Sequence, residues 1–179
     1  MTWAWVTRGG GAPYWRVCNP SWADPLDTSF SRRKGGRWNS PLSFGVLYLN
    51  ATTTVAAANA RRYAADHGYA LADLLPGEEP QVLECTLPEQ ALVDIVTPAG
   101  IAAAGLPAAF PYGVDRAQCQ PIGARCFGDN EAGIAGLSAA ESGGPRHSIG
   151  EEAALFDRGA PLATPGRRWA FAHWYPAAG

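Results

Sequence analysis

A glycine-rich turn that runs straight into a buried strand constrains this chain more than any other feature. Gly35-Gly36-Arg37-Trp38-Asn39-Ser40-Pro41 is followed by the apolar run Gly45-Val46-Leu47-Tyr48-Leu49. The glycines let the backbone come close to a ligand or a neighbouring segment. The Arg37 guanidinium offers a planar fork of donors that fits a phosphate. A cation, an aromatic ring and small polar side chains thus stand together at the mouth of a strand. That arrangement suits a flat, phosphorylated ligand. The basic run Ser31-Arg32-Arg33-Lys34 just ahead reads as a solvated loop whose charge steers such a ligand inward.

Residues 14–18 read as a strand, 19–44 as a long polar loop and 45–50 as a short apolar strand. A loop of that length inside a compact domain is often functional. A helix is expected from Thr54 to His67, capped by Thr52, Thr53 or Thr54 and stopped by Gly68. Ala56, Asn59, Ala60, Tyr63 and Ala64 share one face of it, which puts Asn59 among small apolar residues on the inner side. Residues 80–87 and 91–96 read as strands, and Thr97-Pro98 opens a short helix that ends at Gly105. Residues 106–120 read as irregular, 121–130 as a short helix or loop, and 133–139 as a strand with Ser138 near its end. Residues 151–157 fit strand or helix, and 167–175 read as a final strand with alternating aromatics. Strands and helices without a βαβ rhythm indicate the α+β class, in a single domain over 1–179.

The chain of 179 residues is long enough for a real core, and its formal charge of −2 argues against a nucleic-acid coat or an anionic membrane surface as partner. No apolar run approaches the ~20 residues of a membrane span, and the start lacks a basic segment followed by an apolar one. A cytoplasmic protein is the expectation. The cysteines Cys18, Cys85, Cys119 and Cys126 form no C-x-x-C pair and have no histidine in metal spacing, so they read as free thiols and no metal site is expected. His67, His147 and His173 are scattered, with His147 the best outsider because its loop follows Ser138. No G-x-S-x-G elbow surrounds Ser138 and no obvious His/Asp pair accompanies it, which argues against a hydrolase triad.

Several separated segments carry a family resemblance. They are Arg16 within Tyr14-Trp15-Arg16-Val17, the turn from Gly35 with its strand, and Val93-Asp94-Ile95-Val96-Thr97-Pro98 running towards Gly105-Leu106. Gln120-Pro121-Ile122-Gly123 and Gly136-Leu137-Ser138-Ala139-Ala140 complete the set. In order and spacing they resemble the RES domain, named for an Arg, a Glu and a Ser, over about residues 14–157. The resemblance implies a fold like that of ADP-ribosyltransferases, with central mixed or antiparallel sheets flanked by helices. It implies a toxin of a toxin–antitoxin pair that consumes NAD by phosphorolysis or hydrolysis, or that transfers ADP-ribose to a protein. NAD is then the substrate. The partner is a cognate antitoxin, expected to be a small helical protein, and a homodimer is also compatible.

By the same resemblance, Arg16 and Arg37 bind the phosphates or a ribose of NAD, and Tyr48 and Ser138 position nicotinamide and its ribose. Asn59 departs from the pattern. It lies eleven residues beyond Tyr48, where a RES domain carries its glutamate. A carboxylate there stabilises positive charge as nicotinamide leaves. An amide carries no charge and is no base at neutral pH. The expectation is slow turnover that Asn59→Glu raises, a carboxylate drawn from elsewhere such as Glu84, Glu131 or Glu141, or an NAD-binding module that has lost turnover.

Overall fold

Strand alternation sorts the apolar residues of this chain onto two faces of one sheet. The computed structural model describes residues 2–140 and 150–175. Its strands are β1 (Trp5–Arg8), β2 (Tyr14–Cys18), β3 (Val46–Asn50), β4 (Gln81–Thr86), β5 (Gln90–Ile95), β6 (Gly133–Leu137), β7 (Glu151–Phe156) and β8 (Thr164–Trp169). They form an eight-stranded sheet in the order β1-β5-β6-β7-β3-β2-β4-β8. Neighbours are antiparallel except β5 and β6, which are parallel. The helices are α1 (Ser29–Lys34), α2 (Thr53–Asp66), α3 (Pro98–Ala103), α4 (Arg116–Gly128) and α5 (Phe171–Trp174). The architecture is mixed α+β, as the sequence indicated.

One face of the sheet carries two separate cores. Val93, Ile95, Ile134, Ala154, Phe156 and Val46 pack with Trp38, Phe110, Cys119 and Cys126 beneath α3, α4 and the turn from Gly35. Val82 and Trp15 pack with Ala56, Ala57, Ala60, Ala64 and Trp174 beneath α2 and α5. The other face carries a third core, with Leu47, Leu49, Leu83, Leu92, Ala135, Ala153 and Leu155, which Leu26 and Leu162 help to cover. A seam therefore divides the first face between α2 and the 35–41 turn.

Local sequence explains the helices that matter for this seam. Thr52 caps α2, its hydroxyl oxygen accepting the Val55 N–H at 3.2 Å. Val55, Ala56, Ala57 and Ala58 are buried all round the first turn, and small side chains let that turn sit close on the sheet. The buried face of α2 centres on Ala56, Ala57, Ala60 and Ala64, so Tyr63 at its edge is 51% exposed and stacks on His67 instead of facing inward. Asp115 and Gln118 form a reciprocal cap at the start of α4, at 3.0 and 3.1 Å.

Several expectations are corrected here. The loop 19–44 contains α1, whose last turn holds the basic run Arg32, Arg33 and Lys34. Residues 116–128 form one helix despite Pro121, so the region read as irregular is helical from Arg116. The parallel β5–β6 pair comes from one crossover through α3 and α4, which the sequence reading did not contain. The final strand stops at Trp169, because Phe171, Trp174 and Tyr175 recur at helical spacing and stack as such, with Phe171 and Tyr175 at 4.5 Å. The alternatives for 151–157 resolve to strand, and β1 adds an edge strand that had no assignment. His147 and Glu141 lie outside the described residues.

Asp94 closes the β5–α3 corner. Its carboxylate accepts the N–H groups of Val96 at 2.8 Å and Thr97 at 3.0 Å and the Thr97 hydroxyl. Burial opposes its ionisation, but these donors outweigh burial and hold its pKa below the usual value. A depressed folded pKa gives stability that is complete above the unfolded value of about 3.9 and is lost as pH falls through the folded one. Asp94→Asn should therefore lower unfolding free energy at pH 7 by about 1–3 kcal/mol. Denaturant titrations should show that deficit shrinking below about pH 4, where wild-type Asp94 also loses its charge; a deficit constant down to pH 2 would contradict this account.

Candidate active site

The seam is lined by polar groups, and the sheet register sets them side by side. Tyr48 and Asn50 point to the same face of β3, because residues two apart share a face. Asn50 pairs with Glu152 of β7, and Glu152 pairs with Gly136 of β6. Ser138 is two residues beyond Gly136, so its side chain leaves on that face too, and it is fully buried. Asn59 reaches down from α2. Its amide nitrogen donates to Asn50 Oδ1 at 2.7 Å and to Glu152 Oε1 at 2.8 Å. Asn50 is itself fixed, since its own amide donates to the Trp15 carbonyl at 2.8 Å.

The turn from Gly35 stands on the other bank. Asn39 is completely buried and holds it. The Asn39 amide nitrogen donates to the carbonyls of Ser31 at 2.8 Å and Phe44 at 2.9 Å, and its oxygen accepts the Tyr48 hydroxyl at 2.9 Å. The Tyr48 oxygen in turn accepts the Trp38 N–H at 2.9 Å. Burial pushes the Tyr48 phenol well above its ordinary pKa, with Glu152 adding to the rise and Trp38, Arg116 and Arg37 opposing it. It is a fixed donor at neutral pH. Gly36 lies against the Tyr48 ring where a Cβ would overlap it, and a Cβ on Gly123 of α4 would overlap the Trp38 carbonyl. Gln120 adds donors to the Gly36 carbonyl at 3.0 Å and the Asn39 carbonyl at 3.3 Å. These two contacts explain why Gln120 and Gly123 stand in the motif set.

Arg37 projects from this turn. Its guanidinium lies 5.0 Å from the Phe110 ring and 5.9 Å from the Trp38 ring. Its Nε is buried without a nitrogen or oxygen partner among the described residues, and the guanidinium lies beside the Cys119 thiol, opposing the rise in pKa that burial causes there. A cleft of about 450 Å³ lies between Arg62 of α2, the 111–115 loop and Ala139 after β6. The Tyr112 hydroxyl is buried without a partner among the described residues. Two walls of the cleft thus continue the elements that carry Asn59 and Ser138.

Arg37, Tyr48, Asn59 and Ser138 are brought to one seam; Arg16 is not among them. Trp15 pairs with Asn50, so alternation sends Arg16 to the opposite face. Its guanidinium donates to three backbone carbonyls, those of Pro25, Tyr48 at 3.2 Å and Asp27 at 3.4 Å. Burial pushes its pKa down. It pins the 19–28 loop and holds β3 by the Tyr48 carbonyl.

The RES domain profile matches residues 13–174. The chain belongs to the RES domain family. The NAD(+) phosphorylase MbcT of Mycobacterium tuberculosis (strain H37Rv) is 31% identical over 100 residues, which are 56% of this chain and 53% of that protein. The MbcT of Mycobacterium bovis matches to the same extent. The chain thus spans about half the length of these relatives. Among solved structures, the M. tuberculosis MbcT-MbcA toxin-antitoxin complex contains a chain that superposes with a TM-score of 0.75 at 22% identity, over 91% of this chain and 85% of that one. At that identity the likeness is one of fold, and it agrees with the mixed sheet described above.

Within this RES domain, the sequence reading passed over Glu152. Of the carboxylates it offered, Glu141 lies outside the described residues, Glu131 accepts the indole N–H of Trp5 at the β1 edge, and Glu84 lies on β4 opposite Trp15, on the face of Asn50 but two strands from it. The signal was present in Glu151-Glu152 at the head of an apolar strand. Two adjacent acids on a strand must face opposite ways. Glu151 faces the rear, paired with Arg8 at 2.5 and 2.7 Å, and Glu152 faces the seam. The pairing also reverses the expectation for Asn59→Glu, which would set two carboxylates against each other.

The turn yields an ordered prediction. Tyr48→Phe leaves the Trp38 N–H and Asn39 Oδ1 unpaired, a cost of about 1–3 kcal/mol. Asn39→Ala leaves the Tyr48 O–H without its acceptor and the Phe44 carbonyl without the amide donor, removes one of the two donors to the Ser31 carbonyl, and should cost more. Urea unfolding of both variants would contradict this network if Asn39→Ala were the milder change.

Proposed function

We propose that this chain binds NAD along the seam and its cleft and cleaves the bond between nicotinamide and ribose, with phosphate or water as acceptor. The observation that carries this reading is the Arg37 guanidinium set against the Phe110 and Trp38 rings, with no acid paired to it among the described residues. A fixed guanidinium without a carboxylate partner suits an anion, and the pyrophosphate of NAD supplies one. The name of the MbcT relatives, NAD(+) phosphorylase, supports both the substrate and phosphate as acceptor.

In this reading Arg37 holds the pyrophosphate and Ser138 bonds nicotinamide or its ribose. Tyr48 positions Arg37 through the turn, and Asn59 borders the ribose. Arg16 acts at one remove, by fixing the strand that presents Tyr48. The chemistry needs no metal, because nicotinamide leaves from a substrate that already carries positive charge. The neighbour's description as a toxin-antitoxin complex supports a toxin that depletes NAD and is neutralised by a cognate antitoxin.

Incubation of the purified protein with NAD, with and without phosphate, followed by mass analysis, tests the reaction. Phosphorolysis gives a phosphorylated ADP-ribose, and hydrolysis gives ADP-ribose itself. A modified protein in place of either would favour ADP-ribosyl transfer. Arg37→Ala should weaken NAD binding by about ten- to hundredfold, the value of roughly 1.5–3 kcal/mol in charge-assisted hydrogen bonds. Calorimetric titration giving equal affinities would remove Arg37 from the site.

A further inference from the structure

We infer that Glu152 is the carboxylate that stabilises the reacting sugar, with Asn59 as its positioning residue: the acid has moved from α2 to β7, and the two side chains have exchanged roles. The inference rests on the NAD-cleaving function proposed above. Asn59 uses both hydrogens of its amide inside the seam, one on Asn50 Oδ1 and one on Glu152 Oε1. Asn50 is locked by the Trp15 carbonyl, so it presents an acceptor to Asn59 and nothing else in that direction. This fixes which end of the Asn59 amide faces Glu152, and it fixes the carboxylate in turn. Glu152 stands on the same sheet face as Tyr48 and Ser138, opposite Gly136, over which the Trp38 indole packs. It is partly exposed, as a group that meets a ligand must be.

The step balances with these groups alone. The bond from ribose C1′ to the nicotinamide nitrogen breaks, and its electron pair leaves with nicotinamide, which becomes neutral. Positive charge develops on the sugar and is stabilised by the fixed Glu152 carboxylate. A phosphate oxygen then forms the new bond to C1′. Where water is the acceptor, its proton passes to the Glu152 carboxylate and on to solvent.

Four proteins test the assignment: wild type, Glu152→Gln, Asn59→Glu, and the double exchange Asn59→Glu/Glu152→Gln. Each is assayed for NAD turnover and for NAD affinity by calorimetry, with thermal unfolding as a check on folding. Glu152→Gln should lower kcat by roughly a hundred- to thousandfold, with the NAD Kd within about threefold of wild type. Asn59→Glu should also lose activity, because two carboxylates in contact cannot both stay ionised. The double exchange restores one acid and one amide, and should recover at least about tenfold over Glu152→Gln. It also serves as the test if Glu152→Gln fails to fold. A Glu152→Gln protein with wild-type kcat overturns the assignment, as does a folded, NAD-binding double exchange with no recovery. Both outcomes leave the NAD-cleaving reading intact if wild type consumes NAD. Wild-type protein that neither binds nor consumes NAD overturns both.

Discussion

The buried amide of Asn39 is the interaction on which the site depends. A turn with two glycines and an exposed flank has many conformations available, and fixing each residue costs about 1–2 kcal/mol. Asn39 offsets that cost by meeting three partners at once, from α1, from the segment ahead of β3 and from the middle of β3. No other residue type of its size supplies two donors and an acceptor in one plane. The Tyr48 hydroxyl extends the knot to the Trp38 N–H, and Gln120 closes it from α4. Arg37 is held out from a rigid base and so has its orientation set, against the Phe110 and Trp38 rings. Preorganisation of that kind is what makes a single guanidinium useful in binding an anion.

The placement of the site follows from the division of one sheet face into two cores. A helix on a twisted sheet covers only part of it, and here α2 and the 35–41 turn cover different parts. Polar residues in the gap are shielded from water on the flanks, with Asn50 and Ser138 buried and Asn59 and Glu152 partly exposed. In such a position a fixed carboxylate or guanidinium interacts more strongly than it would in bulk water. Arg16 serves the same end from behind. It spends its donors on backbone carbonyls of the 19–28 loop and of Tyr48, so the rear of the sheet is closed and β3 is held where the front needs it.

Much of this was legible in the sequence where a signal was local. The strand after the glycine turn, the Thr cap and Gly stop of α2, and the Thr97-Pro98 start of α3 depend on residues a few positions apart, and each lies where it was expected. The start of α4 was equally local, in Asp115 and Gln118, but Pro121 inside the helix masked it. Tyr63 failed because the buried stripe of α2 centres on Ala56, Ala57, Ala60 and Ala64, which leaves Tyr63 at its edge. Arg37, Tyr48, Asn59 and Ser138 gather at one seam, yet the face of Arg16 required the register of β2 against β3, which is non-local. Glu152 was hidden for the same reason. It lies ninety-three residues from Asn59, and only the pairing of β7 with β3 brings them together.

The charge count of the seam gives this departure from the family pattern its logic. A site that stabilises one unit of developing positive charge needs one carboxylate, held still. A second acid within hydrogen-bonding distance of the first would force one of them to take a proton, so it would add no charge. What the first acid needs as a neighbour is a donor, and an asparagine amide is a donor that stays neutral at every pH. With an acid on α2, the facing position on β7 must be neutral; with an acid on β7, the constraint falls on α2. This chain satisfies it in the second way, with Asn59 facing Glu152 and Asn50 behind it as the acceptor that orients the amide. The rest of the seam need not change, because Tyr48, Ser138 and the turn that carries Arg37 are set by Asn39 and the sheet register and not by either member of the pair.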